Sequence, residues 1–204
     1  SSWQKAVYQD DYRGIERQPY FMKEIIEKSK CCGCNACGDV CPKGAITFQT
    51  DKEGFWYPEI NQNLCIDCGL CQKTCPVLTK ADNVIRYDEP LVYAAYTKDE
   101  AIRTDSTSGG IHSMLALAMY EQNAYIGGAI YNKDHTVKHI VSPDCQLLPE
   151  IRSSKYLQSS MEGAYKEVRD LLKAGEKVFF CGTPCQIQGL YKFLRKEYDN
   201  LTTC

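Results

Sequence analysis

The sequence predicts an α+β chain: a small cysteine-rich module followed by an α/β domain with a mixed sheet. Eight of the thirteen cysteines stand in two copies of one spacing, C-x2-C-x2-C-x3-C, at Cys31, Cys34, Cys37 and Cys41 and again at Cys65, Cys68, Cys71 and Cys75. Each copy is closed by a proline, Pro42 or Pro76. Beyond residue 90, strand-length apolar runs alternate with segments of helical period. The run KVFFC passes through GTPC straight into a helix, which gives the sheet a parallel component.

The repeated spacing is that of the bacterial ferredoxins and calls for two [4Fe–4S] clusters. A cubane needs thiolates converging from different directions. Two residues between cysteines let one loop supply three of them, while the fourth, three residues on, points to the other cluster. The expected ligand sets are therefore Cys31, Cys34, Cys37 and Cys75 for one cluster, and Cys65, Cys68, Cys71 and Cys41 for the other. Each proline fixes φ after the crossing ligand. Gly33, Gly38 and Gly69 suit backbone passing close to inorganic sulfur. A disulfide scaffold explains such short, duplicated spacings poorly. Zinc sites use C-x2-C pairs set far apart, not four cysteines in eleven residues.

A chain of 204 residues suits one or two domains. The net charge of −2 gives no sign of a nucleic-acid or anionic-membrane partner. No apolar run approaches the roughly 18 residues of a membrane span, and no signal peptide is visible. Cysteines at cluster spacing point to a reducing compartment, and the expected location is the cytoplasm.

Taken in order, residues 1–21 form an N-terminal segment without clear period, read either as an arm packing Trp3, Tyr8 and Tyr12 or as an appended or upstream piece ahead of Met22. Residues 22–80 are the ferredoxin-like module. Residues 23–27 are expected as a short strand. Residues 45–49 and 55–60 are expected as a hairpin with Gly54 in its turn, and a helical turn is expected before each Cys-Pro. With little apolar core, the module relies on its clusters as interior, as metal-dependent domains do. It holds seven basic and seven acidic residues, so ligated clusters make it net negative, which suits a partner with a basic docking face.

Residues 81–90 are a polar connection, and residues 91–204 the α/β domain. Residues 91–97 (LVYAAYT) read as a strand. Residues 105–110 (DSTSGG) open a helix with Ile111, Met114, Leu115, Ala118 and Met119 inward, stopped at Asn123. Ser108, Gly109 and Gly110 suit either a plain capped helix start or a phosphate site on free backbone N–H groups. Residues 124–131 and 136–141 read as paired strands, with Gly127-Gly128 marking a bulge or a close approach, and with His135 and His139 toward solvent. Residues 159–162 read as a capping box for a helix with Ala164, Val168, Leu171 and Leu172 inward, ended by Gly175. The strand at 177–181 leads through Gly182, Thr183 and Pro184 into a helix facing inward with Ile187, Leu190, Tyr191 and Leu194. Cys185 in its first turn is expected to have a lowered thiol pKa. It reads as a reactive thiol or extra metal ligand, or else, with Cys181, as a small buried residue.

The double ferredoxin run followed by STSGG, RSSKYLQS and FFCGTPCQIQGL resembles the family of coenzyme F-420 (deazaflavin) hydrogenase and dehydrogenase beta subunits, across about residues 22–204. The resemblance implies an iron–sulfur flavoprotein, in which electrons pass between two [4Fe–4S] clusters and FAD, and the flavin exchanges hydride with a deazaflavin or another small organic substrate. Carried onto this chain, Ser108, Gly109 and Gly110 would face flavin phosphate or ribityl groups. Ser154, Lys155 and Tyr156 would line the flavin site, with Lys155 placed for a phosphate or for N1 of the reduced ring. Thr183, Pro184, Cys185 and Gln186 would border the isoalloxazine, with Cys185 the catalytic candidate. Family members run further, so the resemblance also implies that the flavin-binding domain is C-terminally truncated here, short of its last strand and the region shaping the substrate site.

Three functions follow as competitors: a flavin-dependent oxidoreductase, a ferredoxin-type electron carrier without catalytic activity of its own, and a protein that uses its clusters as structural staples. The expected partner is a redox protein or a small-molecule electron donor or acceptor, and an oligomer is compatible with all three.

Overall fold

In this computed structural model, residues 24–79 and 88–204 are described. The N-terminal segment 1–21 and most of the connection at 81–90 lie outside the described residues. The module opens on a 3-10 turn at Lys28–Lys30, with no strand among its described residues before it. Two five-residue helices, α1 (Ala36–Val40) and α2 (Leu70–Thr74), carry the ends of the cysteine loops. Between them, β1 (Ile46–Thr50) and β2 (Trp56–Ile60) pair antiparallel, Ile46 opposite Ile60 and Thr50 opposite Trp56. The hairpin closes because Asp51 Oδ1 accepts from the N–H groups of Glu53 and Phe55, at 2.9 and 3.0 Å, while Gly54 takes φ +89°.

The second domain begins with α3 (Glu100–Thr104), capped by Asp99, whose carboxylate accepts from Ile102 N–H at 3.0 Å. Helix α4 (Ile111–Tyr120) starts from Gly110 at φ +75° and turns off at Asn123, which takes φ +58°. A five-stranded mixed sheet follows. Strands β3 (Tyr125–Tyr131) and β4 (Val137–Ser142) form an antiparallel pair in unbroken register. The short helix α5 (Leu148–Ile151) then leads to β5 (Ser159–Ser160), parallel to β4. Helix α6 (Ala164–Lys173), strand β6 (Val178–Phe180), helix α7 (Pro184–Leu194) and strand β7 (Leu201–Thr203) complete the domain, with β6 parallel to both β3 and β7. The strand order is β5-β4-β3-β6-β7.

Several expectations change. Residues 91–97 form no strand. Leu91, Val92 and Tyr93 are largely exposed, and the segment is held at Thr97, whose N–H donates to Gly109 O at 2.7 Å. Helix α4 turns a different face inward. Ser113 and Ala116 are buried, whereas Ile111, Met114, Leu115 and Ala118 are not. Ala116 packs in one buried cluster with Ala124, Ile126 and Phe179, against a sheet that also carries Gly127 and Gly128. The two glycines mark close approach without a bulge: a Cβ at Gly127 would run into the Phe180 ring, and one at Gly128 would run into Ile151. Ser159 and Ser160 belong to β5, and α6 begins only after Gly163 at φ +81°. Its core face is as expected, with Ala164, Val168 and Leu172 buried. Strand β7, at the end of the sequence, has no counterpart in the sequence reading.

The cysteine module and the α/β part share one interior. Cys34 and Ala36 of the cysteine module pack in the same buried cluster as Met161, Tyr165, Val168, Phe180 and Leu190. Asp39, between two cysteines of the first run, is buried and caps α6, its carboxylate accepting from Gly163 N–H at 2.8 Å and Tyr165 N–H at 3.1 Å. Burial raises the Asp39 carboxyl, and the Gly163 N–H is the first influence pulling it back down. The buried Tyr165 hydroxyl stands between Cys34 O at 2.8 Å and Gln186 O at 3.1 Å. Gly189 lets α7 approach α1, since a Cβ there would lie 3.3 Å from Ala36 Cβ and 3.4 Å from Cys34 Sγ.

Candidate functional site

Each cysteine loop is a curl set by left-handed residues. Gly33 (φ +66°) and Asn35 (φ +61°) lead into α1, and Asp67 (φ +53°) and Gly69 (φ +69°) into α2. The curls leave two cavities inside the module. One is lined by Cys31, Cys34, Cys37 and Cys75 together with Cys32, Ile25, Ile26 and Phe48. The other is lined by Cys41, Cys65, Cys68 and Cys71 with Pro42, Ala45, Ile46, Ile60 and Ile66. Each cavity thus gathers three cysteines of one run and the last cysteine of the other. Cys41 Sγ also accepts from Ala45 N–H at 3.3 Å, a bond of the kind that sets cluster potential. Burial raises the Cys31, Cys37 and Cys71 thiols, and neighbouring cysteines add to the rise in each. Among the described residues, no three His, Cys, Asp or Glu side chains converge on a single metal ion. Four-iron cubanes differ from such sites, because each thiolate takes a separate corner.

A third cavity, about 670 Å³, lies where the two domains meet. Its walls are the start of α4 (Ser108, Gly109, Gly110), the 152–155 loop, the carboxyl ends of β6 and β7, and Cys32 and Gly33 of the first cysteine run. A Cβ at Gly109 would run into Ala95 O, so that turn admits only glycine as it stands. Gln158 ties the loop to the hairpin. Its Oε1 accepts from Trp56 N–H at 2.9 Å, and its Nε2 donates to Trp56 O at 3.3 Å. Arg152 braces the α4 side, donating to Ser113 Oγ at 3.1 Å and pairing with Asp105 at 3.2 Å.

Of the residues expected at a flavin, Ser108, Gly109, Gly110, Ser154, Lys155, Thr183, Cys185 and Gln186 line this cavity. Tyr156 and Pro184 are not among its walls, and Tyr156 is 88% exposed. The Lys155 ammonium donates to Glu150 O, Arg152 O and Ser153 O, so its three protons go to the end of α5 and the turn after it, and its charge alone is offered to the cavity. Gln186 turns back to accept from Thr183 N–H at 2.9 Å and donates to Ser159 Oγ at 2.9 Å, fixing the entry of α7. The Cys185 thiol is not lowered. Its hydrogen bond with Cys32 raises it first, and burial adds to that, overriding the first-turn position and the Thr183 hydroxyl at 3.2 Å.

Sequence reasoning missed two histidines in the same walls. His139 is 9% exposed, not on the solvent side. Its Nε2 meets Cys181 O at 3.2 Å, and its ring stacks on Phe180. Burial depresses it to about 4, so it is neutral near pH 7 with Nε2 as donor. His112 stacks on Phe179, and burial, with Lys155 and Arg152 nearby, lowers it too. Among the described residues, His112 Nε2 and His139 Nδ1 are buried without a hydrogen-bond partner. Strict alternation from Val137 through Val141 would have placed His139 on the core face.

The fold and the paired cysteine cavities define a class, and comparison with known proteins agrees: residues 30–79 match the 4Fe-4S dicluster domain family. The chain is 30% identical over 177 residues to the coenzyme F420-dependent sulfite reductase of Methanocaldococcus jannaschii, covering 84% of this chain and 26% of that protein. It is 23% identical over 177 residues to one of the subunits of the F(420)H(2) dehydrogenase of Methanosarcina mazei, covering 82% of this chain and 49% of that one. An uncharacterized ferredoxin of M. jannaschii is 38% identical over 52 residues, covering 26% of this chain and 66% of that protein. The chain is an iron–sulfur electron-transfer protein with a ferredoxin domain, related to coenzyme F420 enzymes. It spans about a quarter and about half of the lengths of the first two relatives. Among the described residues, no helix is long and apolar enough to cross a membrane.

Proposed function

We propose that the chain passes electrons between two [4Fe–4S] clusters and an FAD in the 670 Å³ cavity, and that the flavin exchanges hydride with a deazaflavin or another small organic substrate. One observation carries the reading. The cavity of Cys31, Cys34, Cys37 and Cys75 shares Cys32 with the large cavity, so a cluster there would sit one residue away from the bound cofactor. The proposed ligand sets are those of the two cysteine cavities. Raised thiols facing one another suit iron, whose charge stabilises the thiolates that otherwise repel.

The large cavity fits a flavin in three respects. Its volume lies within the range of cofactor sites. A glycine-lined helix start offers N–H groups to a phosphate. Buried ring nitrogens of His112 and His139 stand unpaired in its walls. When bound, FAD would supply the two-electron chemistry that single-electron clusters lack. This chain's residues would then bind and orient it: Gly109 and Gly110 through backbone, Thr183 and Gln186 at the α7 entry, and Lys155 as a fixed positive charge. Cys185, protonated and bonded to Cys32, would border the ring next to the cluster. The whole-protein activity, an attached redox partner and a cytoplasmic site of action belong to the same proposal.

Anaerobic purification with iron, sulfide and flavin measured on one sample tests it. About eight irons and one FAD per chain are expected. About eight irons with no flavin, and no binding of added FAD, would instead leave a ferredoxin-type carrier. That second reading is favoured by residues 30–79 matching the dicluster family without the rest of the chain, with a relative over that stretch named as a ferredoxin.

A further inference from the structure

At the carboxyl edge of the sheet, Cys181 follows β6 and Cys204 follows β7. Cys204 N–H donates to Phe180 O, and Gly182 N–H donates to Cys204 O, both at 3.0 Å. That pattern brackets Cys181, so the two cysteines sit directly opposite on parallel neighbours. Adjacent strands lie about 4.8 Å apart, inside the Cα separation that a disulfide spans. The two thiols are hydrogen-bonded to each other, and both line the 670 Å³ cavity, with Cys204 exposed. Neither is needed for the two cluster sets.

We propose that Cys181 and Cys204 are a redox dithiol that undergoes thiol–disulfide exchange with low-molecular-weight disulfides entering the cavity. Cys204 is the attacking group. It is the exposed member, and the bond from Cys181 holds its thiol down to about 6. Cys181, pushed well up by the same bond and by burial, keeps its proton until the second step. In the first step the Cys204 thiolate attacks one sulfur of the small disulfide, that S–S bond breaks, and one small thiolate leaves. In the second, Cys181 loses its proton and attacks Cys204 Sγ, the mixed disulfide breaks, and the other small thiolate leaves. Two protein thiols become one disulfide, while one small disulfide takes up the two electrons and becomes two thiols. The Lys155 charge, which acts on Cys181, favours its thiolate in the second step. Both thiols stand in the wall of the cavity proposed for FAD, so the exchange is a reaction of the flavin-free chain, and its failure there would leave the FAD reading untouched.

The test incubates the anaerobic, cluster-loaded chain, freed of any flavin, with excess glutathione disulfide, blocks free thiols, and maps peptides by mass. Trypsin places Cys181 and Cys185 in residues 178–192, and Cys204 in the peptide that begins at Glu197. A cross-link between those peptides is expected in the wild type and in Cys185→Ser. It should be lost in Cys181→Ser, where glutathione should stay on Cys204. Iron content, read on the same samples, should not track the link. Free Cys204 after incubation, stable glutathione on wild-type Cys204, or a link that survives Cys181→Ser and vanishes in Cys185→Ser would each overturn the proposal.

Discussion

Single side chains carry two pH dependences of opposite use. His139 is depressed to about 4 by burial, against 6.5 in an unfolded chain. Protonation therefore favours unfolding: the stabilising effect of a neutral His139 is complete above pH 6.5 and is lost as pH falls toward 4, an effect of order 3 kcal/mol across the window. Urea midpoints measured between about pH 7 and 5.5 should fall with pH in the wild type and fall less in His139→Asn. Cys204 behaves as a reagent instead of a support. Its alkylation by iodoacetamide should lose rate below about pH 6 and should shift toward ordinary thiol values, about 8.5, in Cys181→Ala. At this scale the sequence was legible where chemistry is local: eight cysteines and two prolines specify their own loops. It was silent on the Cys181–Cys204 and Cys32–Cys185 pairs, because strands β6 and β7, and the docking of the cysteine module on α7, bring those residues together.

At the scale of elements, the join between α1, α6 and α7 is the part most exposed to single changes. Asp39→Ala takes the acceptor from the half-buried Gly163 N–H and from the buried Tyr165 N–H. It should cost about 1–3 kcal/mol, read as a lower urea midpoint together with faster loss of cluster absorbance. Gly189→Ala puts a Cβ 3.0 Å from the Tyr165 hydroxyl and close to Ala36 and Cys34. It should destabilise by about 1–3 kcal/mol through overpacking, checked by the same denaturation. Here the sequence misled at α4. The stripe Ile111, Met114, Leu115 has helical period, yet the helix packs through Ser113 and Ala116, with Ala116 set among Ala124, Ile126 and Phe179. Residues 91–97 have β-branched and aromatic composition but find no strand partner, and composition alone cannot supply one. Helix α6 starts late because β5 claims Ser159 and Ser160.

For the whole molecule, the two cysteine cavities differ in their surroundings. The cavity of Cys41, Cys65, Cys68 and Cys71 is bordered by exposed Cys68 and Ile66, whereas the Cys31 set abuts the interior shared with the second domain. Crossed ligation makes a prediction that simple sequence order does not. Cys41→Ala lies in the first run, but should strip the cluster of the 65–71 loop, and Cys75→Ala should strip the other. Iron content near half, with electron paramagnetic resonance of the surviving cluster differing between the two variants, is the expected result. Loss of the same cluster from Cys41→Ala and Cys34→Ala would show uncrossed ligation. The mixed sheet was readable from alternation, while the interior shared by the cysteine module and the sheet was not, since Asp39, Tyr165 and Gly189 acquire meaning only when their partners are near.

Gln158 uses both ends of its amide on the backbone of Trp56, so the cavity wall and the cluster hairpin are pinned to one another by a single side chain. A wall that is also a hinge pin ties two equilibria together. Any occupant that orders the 152–158 loop must tighten the seating of the ferredoxin module, and by linkage that seating must tighten the occupant's grip by the same factor. Cutting the pin with Gln158→Ala would uncouple them, leaving a chain whose clusters and cavity each still form but no longer report on one another.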